Sequence, residues 1–321
     1  MEQTSNKVLF YKHIKEPTSE ILRYMDNRRK GISQSLKTRW SKFNRQCMGG
    51  IEPNTIYTIA GISGSGKSSF VNSLETDLFE MNPKDDFIIL SFNFEMLSSR
   101  QVGRKLSYKM KKTTGELYSS SNTKNQSNLS NTDYEQAITH AEKIIQYPIY
   151  YVDRPGTVDE IQNTIKHFQT KLFPKKWLIV ILDHTLLTKT KVNVNERESL
   201  YSLQRVFMEA KKAGKTTILQ ISQMNRQIEG NERLTNRAMH YPMRRDIFGS
   251  DSVFQSSDYV IVIHSPEQLG ISAYGPSNLP VENMIYMHFL KVREGAPKIL
   301  SFINNLKYNS IDEAKPFQLK N

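Results

Sequence analysis

The chain has 321 residues, a formal net charge of +12 at pH 7 and one cysteine, Cys47, a length that suits one main domain with a short appendage. A single cysteine excludes an internal disulfide framework, and the seven histidines show no paired metal-binding spacing, so neither redox nor zinc chemistry is indicated. The basic excess suits a polyanionic partner such as a nucleic acid, although solvated lysine side chains give the same net charge.

The N-terminal part carries no signal-peptide pattern, and residues 1–17 predict a flexible arm. From Thr18 the sequence predicts a helix that Thr18 or Ser19 caps and that ends near Gly31. Its apolar residues form a narrow stripe: Ile21, Leu22, Met25 and Ile32. A stripe this narrow suits docking on a neighbouring subunit as well as on its own domain. Since no apolar run approaches 18 residues, we expect a cytoplasmic protein with no membrane contact.

The strongest motif is GISGSGKS at residues 61–68, in which two glycines separated by four residues are followed by Lys and Ser. An apolar run at 56–60 precedes it and a helical pattern follows, which is the strand, loop and helix of a phosphate-binding loop. Backbone N–H groups and the helix N-terminus would surround a polyphosphate, Lys67 would reach its outer phosphates, and Ser68 would ligate a bridging Mg²⁺. The predicted nucleotide-binding residues are Gly61, Ser63, Gly64, Ser65, Gly66, Lys67, Ser68 and Ser69.

Three later apolar runs end in polar residues that suit nucleotide chemistry. Continuous apolar runs are typical of strands buried on both faces of a parallel sheet, and such sheets bind ligands at the carboxyl ends of their strands. Glu95 follows the run at 87–92 and could polarise a water molecule, although its position alone favours a solvated loop acid. Asp183 follows the run at 177–182 and suits the carboxylate that orients the water shell of Mg²⁺. Gln223 follows the run at 217–222 and could sense a terminal phosphate.

The remaining pattern predicts helices at 98–110, 132–146, 157–168 and 195–213, and strands at 149–152, 259–263, 284–290 and 298–304. The Ser/Asn-rich residues 119–131 predict a mobile surface loop. Residues 227–250 are basic, include Arg233 and Arg237 and have few apolar anchors, which suits a mobile surface meeting an anionic strand. Lys291 and Arg293, two residues apart, should project to one face at the tip of the last hairpin, towards an anion or an acidic partner unless they are plain solvated charges.

Together these segments resemble the RecA-like motor domain of DnaB-type replicative helicases, over roughly residues 31–312. The resemblance is carried by the phosphate-binding loop, FNFEM at 92–96, ILD at 181–183, SQMNR at 222–226 and KVREG at 291–295, in that order. It implies an α/β fold, namely a RecA-like P-loop NTPase with a central, mostly parallel sheet flanked by helices and a C-terminal β-hairpin. The domains that follow are an arm at 1–17, a linker helix and lead-in at 18–48, the ATPase domain at 49–312 and a tail at 313–321.

The resemblance also implies roles for the matched residues. Glu95 would be the catalytic base, Asp183 the carboxylate that organises Mg²⁺, and Gln223 the sensor of the ATP γ-phosphate. Lys291 and Arg293 would be fingers inserted into the ATP site of the neighbouring subunit. The candidate DNA-binding residues are Arg226, Arg244, Arg245, Gly249 and Ser250.

A trans-acting finger requires an oligomer, which in this family is a six-subunit ring around single-stranded DNA, with a primase or a helicase loader as a possible further partner. The sequence departs from the family pattern in three places. The first 17 residues leave no room for the family's N-terminal helical domain, which suggests a phage or mobile-element variant. HTLL at 184–187 replaces the usual Tyr-x-Gln after Asp183, and the DNA-gripping loop matches only at its end.

The sequence therefore predicts an ATP-dependent DnaB-type helicase that translocates on single-stranded DNA. Two alternatives remain open at this point. One is a RecA-like recombinase or loader that binds DNA without unwinding it, and the other is a non-catalytic subunit that binds nucleotide to hold an assembly together.

Overall fold

Nine strands pair into a single sheet in the computed structural model, which describes residues 9–32, 35–119, 129–185, 188–190 and 194–314. The strands are β1 (Ile56–Gly61), β2 (Phe87–Asn93), β3 (Ile149–Val152), β4 (Trp177–Asp183), β5 (Thr216–Gln223), β6 (Tyr259–His264), β7 (Met284–Val292), β8 (Lys298–Asn305) and β9 (Ser310–Glu313). Their order across the sheet is β3-β2-β4-β5-β1-β6-β7-β8-β9.

Ten α-helices accompany the sheet in the described ranges. They are α1 (Lys15–Arg29), α2 (Ser41–Gln46), α3 (Lys67–Met81), α4 (Ser98–Met110), α5 (Thr114–Leu117), α6 (Asn131–Ile144), α7 (Val158–His167), α8 (Glu196–Ala213), α9 (Asn231–Thr235) and α10 (Ser250–Ser256). A π-helical turn, Phe168–Leu172, continues α7. None of the described helices combines the length and the apolarity that crossing a bilayer would need.

The first six strands run parallel, and β7, β8 and β9 continue the sheet as antiparallel strands. The predicted α/β fold with a mostly parallel sheet is therefore confirmed. Strands β1, β2, β4 and β6 are buried along their whole length, which explains why their sequences are continuous apolar runs. The predicted C-terminal hairpin is extended by a third strand, β9. Its sequence SIDE gives no strand signal because it is short and three of its four residues are polar.

The two faces of the sheet bury separate apolar clusters. Ile89 and Ile179 face α3 and lie in one cluster with its Phe70. Leu90 and Val180 face α7 and α8 and lie in the other cluster. Since side chains alternate along a strand, the odd-numbered positions of β2 and β4 all point towards α3. This alternation decides which polar residues reach the helix that follows the phosphate-binding loop.

The N-terminal helix α1 begins at Lys15, three residues before the predicted start at Thr18. The hydroxyl groups of Thr18 and Ser19 donate to the carbonyl oxygens one turn earlier, at 2.8 and 2.9 Å, so these residues lie inside the helix and the prediction that one of them caps it is wrong. Pro17 lies in the first helical turn, where a missing backbone N–H costs nothing.

Helix α1 docks on its own domain through polar side chains. Arg28 pairs with Glu52 and donates to the carbonyl oxygen of Met48 at 2.5 Å, and its guanidinium lies 4.9 Å from the Tyr24 ring centroid. The apolar stripe points elsewhere: Ile21, Leu22 and Met25 are 51%, 59% and 58% exposed. The intrachain contact therefore leaves this stripe uncovered.

Several predicted elements match the structure closely. Helix α4 spans 98–110 and strand β3 spans 149–152, both as predicted. The predicted helix at 195–213 becomes α8, with Asn195 accepting a capping hydrogen bond from the Glu198 amide at 2.8 Å. Thr157 caps α7, and Glu160 closes a reciprocal capping box. Most of the Ser/Asn-rich stretch at 119–131 lies outside the described residues.

Residues 227–250 pack on the domain through the few apolar anchors that their sequence offers and through a buried ion pair. Ile228 and Ile247 are buried, and the guanidinium of Arg233 pairs at 3.0 Å with the fully buried Asp246. Arg233 also donates to the carbonyl oxygens of Met239 and Tyr241. The few apolar residues suffice because this buried ion pair supplies the remaining contact, and Arg233 is therefore a structural residue.

Replacing Arg233 with methionine should lower the free energy of unfolding by about 3–5 kcal/mol, because the Asp246 carboxylate would be left buried without its partner. Arg226→Met is the matched control: Arg226 is exposed, so its replacement should change stability by less than about 0.5 kcal/mol. Denaturant unfolding of both variants checks this. Equal stability of the two would contradict a structural role for Arg233.

A second buried polar cluster joins β6 and β7. His264 Nδ1 lies 2.6 Å from the Tyr274 hydroxyl, which lies 2.7 Å from His288 Nε2, and all three side chains are buried. Burial, and after it the positive charge of Arg233, lower the pKa of His264 to about 4. Burial also lowers the pKa of His288 well below its ordinary value.

The neutral state of His264 makes stability depend on pH. The unfolded chain takes up this proton as pH falls through about 6.5, whereas the folded chain takes it up only near pH 4. Stability should therefore be complete above about pH 6.5 and should decrease towards pH 4 by up to about 3 kcal/mol from this group. Unfolding of the wild type and of His264→Asn at several pH values isolates the contribution. An unchanged pH dependence in the variant would disprove the assignment.

Candidate functional site

The phosphate-binding loop joins β1 to α3 and depends on two of its glycines. Gly66 has φ +102°, and a Cβ atom there would lie 2.8 Å from Leu306 Cδ2. A Cβ atom at Gly61 would lie 2.5 Å from the carbonyl oxygen of Ile263. A larger residue at either position would displace the loop. The loop therefore keeps its shape because neighbouring parts of the domain touch it.

Lys67 is the first residue of α3 and is buried. Its amino group donates to the carbonyl oxygens of Gly61 and Ile62 at 2.9 and 2.8 Å, so the side chain lies across the loop. Burial lowers the pKa of Lys67, while the carboxylates of Asp183 and Glu95 raise it. A phosphate group entering the loop would offer the amino group a charged partner in place of the two neutral carbonyls.

The remaining loop residues differ in exposure. Ser63 and Gly64 are exposed, Ser68 and Ser69 are half-buried, and Ser65 is fully buried with no hydrogen-bond partner for its hydroxyl among the described residues. The exposed part of the loop is held by Gln268, whose amide donates to the Gly64 carbonyl oxygen at 3.0 Å. Sequence patterns do not reveal Gln268, because it follows β6 in a short turn with no motif of its own.

The sheet brings three of the predicted site residues to the same edge as the loop. Gln223 is the register partner of Gly61, and Asp183 is the register partner of Asn93. The backbone N–H of Phe94 donates to the carbonyl oxygen of Asp183 at 2.8 Å, which brings Glu95 beside the end of β4. The side chains of Glu95 and Gln223 are exposed, so both are accessible to a ligand bound at this edge.

Asp183 is the buried carboxylate of the site. Burial, and after it the negative charge of Glu95, raise its pKa to about 6, while Arg104, Lys67 and Ser68 oppose this rise. Its Oδ1 is buried and has no hydrogen-bond partner among the described residues. A desolvated carboxylate beside a second acid favours a cation.

These residues fit a magnesium ion held together with phosphates. The described ranges contain no cluster of three or more His, Cys, Asp or Glu side chains able to hold a metal ion alone. Beside the loop, the structure instead places the buried carboxylate of Asp183 and the Ser68 hydroxyl at the start of α3. Mg²⁺ usually binds in this way, through one or two protein oxygens, substrate phosphates and several waters.

The structure does not bring the predicted finger pair to this edge. Arg293 follows β7, its Nε lies 2.7 Å from Asp258 Oδ1, and its backbone N–H donates to the Asp258 carbonyl oxygen. Lys291 donates to the carbonyl oxygens of Phe254 and Gln255. The acidic partner that the sequence calls for is thus Asp258 of the same chain, and the Arg293 side chain remains 55% exposed.

Arg293 and the phosphate-binding loop lie near opposite ends of strand β6. Asp258 immediately precedes the first residue of β6, whereas Ile263, near its end, lies against Gly61 at the start of the loop. Five residues of extended strand separate these points by about 17 Å. An arginine side chain cannot bridge that distance, so Arg293 does not reach the loop of its own chain.

The candidate DNA-binding residues surround the end of β5. The Asn225 amide group donates to the Arg245 carbonyl oxygen at 2.8 Å, which ties Arg226 to the turn that contains Arg244 and Arg245. Arg226 and Arg245 are exposed, while Arg244 is exposed and pairs with Asp251 at 2.9 Å.

The two small residues of this set lie at the start of α10. Gly249 has φ +62°, and a Cβ atom there would clash with Leu200 of α8, which gives this glycine a packing role. Ser250 is the first residue of α10, and its side chain lies outside the described part of the chain.

Comparisons with known proteins agree with this architecture. The sequence profile of the DnaB-like helicase C terminal domain matches residues 35–312. A solved ATPase domain superposes with a TM-score of 0.76 at 15% identity, covering 95% of this chain and 100% of that chain. A DnaB-like replicative helicase, solved in a study of its interactions with primase, superposes with a TM-score of 0.75 at 16% identity, covering 95% of this chain and 68% of that chain.

No curated protein matches the chain in sequence. At these identities the two structural matches establish the shared fold, and the profile match, which covers most of the chain, establishes the family. The chain therefore belongs to the DnaB-like helicases, which it matches through their C-terminal domain.

Proposed function

We propose that this protein is an ATP-dependent DnaB-type helicase motor that works in replication as an oligomeric ring on single-stranded DNA. The observation that carries the proposal is the separation of Arg293 from the phosphate-binding loop. The loop, Glu95, Asp183 and Gln223 lie where the parallel strands end, whereas Arg293 lies where these strands begin. A site completed by an arginine then requires a second subunit.

At the loop edge each residue has a distinct task in the proposed hydrolysis. Lys67 and the loop N–H groups would hold the phosphates, and Ser68 and Asp183 would hold Mg²⁺, which would supply positive charge to neutralise the phosphates. Glu95 orients and deprotonates the attacking water, and Gln223 hydrogen-bonds the terminal phosphate. The exposure of Glu95 and Gln223 supports these roles, because both must meet a ligand that arrives from solvent.

A head-to-tail contact between subunits would bring Arg293 to the neighbouring ATP site, and such contacts close into rings when their rotation allows it. Arg293 is exposed beside a cavity of about 280 Å³ that is also lined by Ile21 and Tyr24 of α1. The uncovered stripe of α1 gives this edge apolar surface for a neighbour. A six-subunit ring is the arrangement that we propose.

Single-stranded DNA is the proposed substrate track. Arg226, Arg244 and Arg245 lie at the end of β5, next to Gln223, so a change at the terminal phosphate has a short path to the basic turn. A primase or a loader is a possible partner, since the DnaB-like helicase in one of the matched structures was studied with its primase. The alternative of a recombinase or loader uses the same site and differs in the polymer that it forms.

Steady-state ATP hydrolysis with and without single-stranded DNA tests the proposal. We expect turnover that DNA stimulates, because the basic turn and Gln223 lie at one strand end, and Lys67→Ala supplies the blank by removing the phosphate-binding amine. Turnover that ignores DNA would argue for a different polymer or protein partner. Turnover no higher than that of the blank would favour a non-catalytic nucleotide-binding subunit.

Mixing two inactive variants tests the finger in trans. Arg293→Ala should lower turnover by about three orders of magnitude or more while leaving nucleotide binding nearly unchanged, since the arginine acts on charge in the transition state. Glu95→Gln should not hydrolyse ATP at its own site, but it keeps Arg293 for the site of a neighbouring subunit. In a random mixture about a quarter of head-to-tail interfaces join an intact site to an intact finger, so part of the activity should return.

A mixture with no more activity than the separate variants would contradict action in trans. Wild-type turnover by Arg293→Ala alone would remove Arg293 from the mechanism.

A further inference from the structure

Two buried polar side chains lie side by side where β2 and β4 end. Asn93 and Asp183 are register partners in neighbouring parallel strands, so their side chains share the face that packs on α3. Asn93 is 2% exposed and Asp183 is 5% exposed. Asn93 Nδ2 and Asp183 Oδ1 both lack a hydrogen-bond partner within the described ranges. Asn93 has no role in the mechanism described so far.

Buried polar side chains of α4, α3 and β2 form a connected series that ends at Asn93. Lys105 of α4 pairs with Glu75 of α3 at 2.5 Å and also donates to the side-chain oxygen of Asn72 at 2.6 Å. Ser91 Oγ lies 2.8 Å from the free oxygen of Glu75, and 3.0 Å from Asn93 Oδ1. All five side chains are at least 96% buried.

The protons available in this series determine which end of the Asn93 amide faces Ser91. The Ser91 hydroxyl has a single proton, and the Glu75 carboxylate paired with Lys105 can only accept, so that proton belongs to the Ser91–Glu75 bond. Ser91 Oγ can then only accept from Asn93, which must turn its NH₂ group towards Ser91. A half-turn of the amide exchanges its two ends and puts the carbonyl oxygen in the buried position of Nδ2, which has no hydrogen-bond partner among the described residues.

We propose that Asn93 presents this amide oxygen, beside Asp183 Oδ1, to the water shell of a nucleotide-bound Mg²⁺, and that Lys105, Glu75 and Ser91 set its orientation. The inference rests on the proposed function, since it takes the loop edge to be a Mg²⁺–nucleotide site. Mg²⁺ keeps several of its waters in such sites, and those waters donate hydrogen bonds to protein oxygens. A neutral amide supplies a second acceptor without adding charge beside Asp183 and Glu95.

The arrangement has the form of an outer shell that orients a metal site. Hydrogen-bond partners in such shells typically change metal affinity about 10–100-fold when they are removed. A role limited to packing would leave the buried atom at this end of the amide without a hydrogen-bond partner among the described residues, which is costly in a protein interior. Water bound to the cation would supply the missing donor.

Mn²⁺ in place of Mg²⁺ allows binding to be measured without turnover. Binding of Mn²⁺ in the presence of ADP, followed by electron paramagnetic resonance, should weaken about tenfold or more in Asn93→Leu, which keeps the size of the side chain but loses the acceptor. Ser91→Ala, which releases the amide from its fixed orientation, should weaken binding in the same direction. Asn93→Asp restores an acceptor oxygen and should bind Mn²⁺ more tightly than Asn93→Leu.

Tyr151→Phe is the matched control. The Tyr151 hydroxyl also donates to Glu75, at 3.2 Å, but to the oxygen that pairs with Lys105 and not to the one that Ser91 binds, so this variant should bind Mn²⁺ like the wild type. Mn²⁺ affinity in Asn93→Leu equal to that of the wild type, with the variant folded by circular dichroism, would overturn the role of Asn93 and leave the proposed function intact. Absence of Mn²⁺–ADP binding by the wild type would overturn both.

Discussion

The parallel alignment of β1, β2, β4 and β5 is the constraint on which the candidate site depends. Parallel strands in neighbouring positions end at a common edge, so the residues that follow them meet even when more than about a hundred residues separate them in the chain. Register then decides which of them touch: Asn93 lies opposite Asp183, and Gln223 lies opposite Gly61. Arg293 lies at the other end of these strands, because β7 runs antiparallel to β6.

Burial gives this edge its chemical character. Asp183, Lys67 and Asn93 are all nearly covered. Asp183 Oδ1 and Asn93 Nδ2 have no hydrogen-bond partner among the described residues, and the Lys67 amino group binds two neutral carbonyl oxygens. Desolvation moves the pKa values of Asp183 and Lys67 towards their neutral forms, whereas a phosphate and a cation would favour the charged forms of both. The folded chain therefore buries ionisable groups whose charged forms a metal-bound anion would stabilise. The polar chain from Lys105 to Asn93 extends this pattern into the layer beneath the site.

Local patterns predicted most of the fold and the loop edge of the site. The apolar runs of β2 and β4, the glycines around Lys67 and the helical pattern at 195–213 act through neighbours in sequence, so their signals are visible in the chain itself. Contacts between distant residues carry no such signal. Asp246 neutralises Arg233, Asp258 binds Arg293, and Gln268 supports Gly64, and each pair forms only when the complete fold brings the partners together.

The pairing of β1 has a consequence for how the protein is made. Ile56 pairs with Ile218 and Tyr57 pairs with Tyr259, so the strand that leads into the phosphate-binding loop finds its neighbours far along the chain. Contacts of such long sequence separation require a long stretch of chain to close before they add stability. A nascent chain released only through α8 lacks both neighbours of β1, and its glycine loop has no fixed shape. During synthesis, the chain can therefore bind nucleotide only after β6 has emerged from the ribosome.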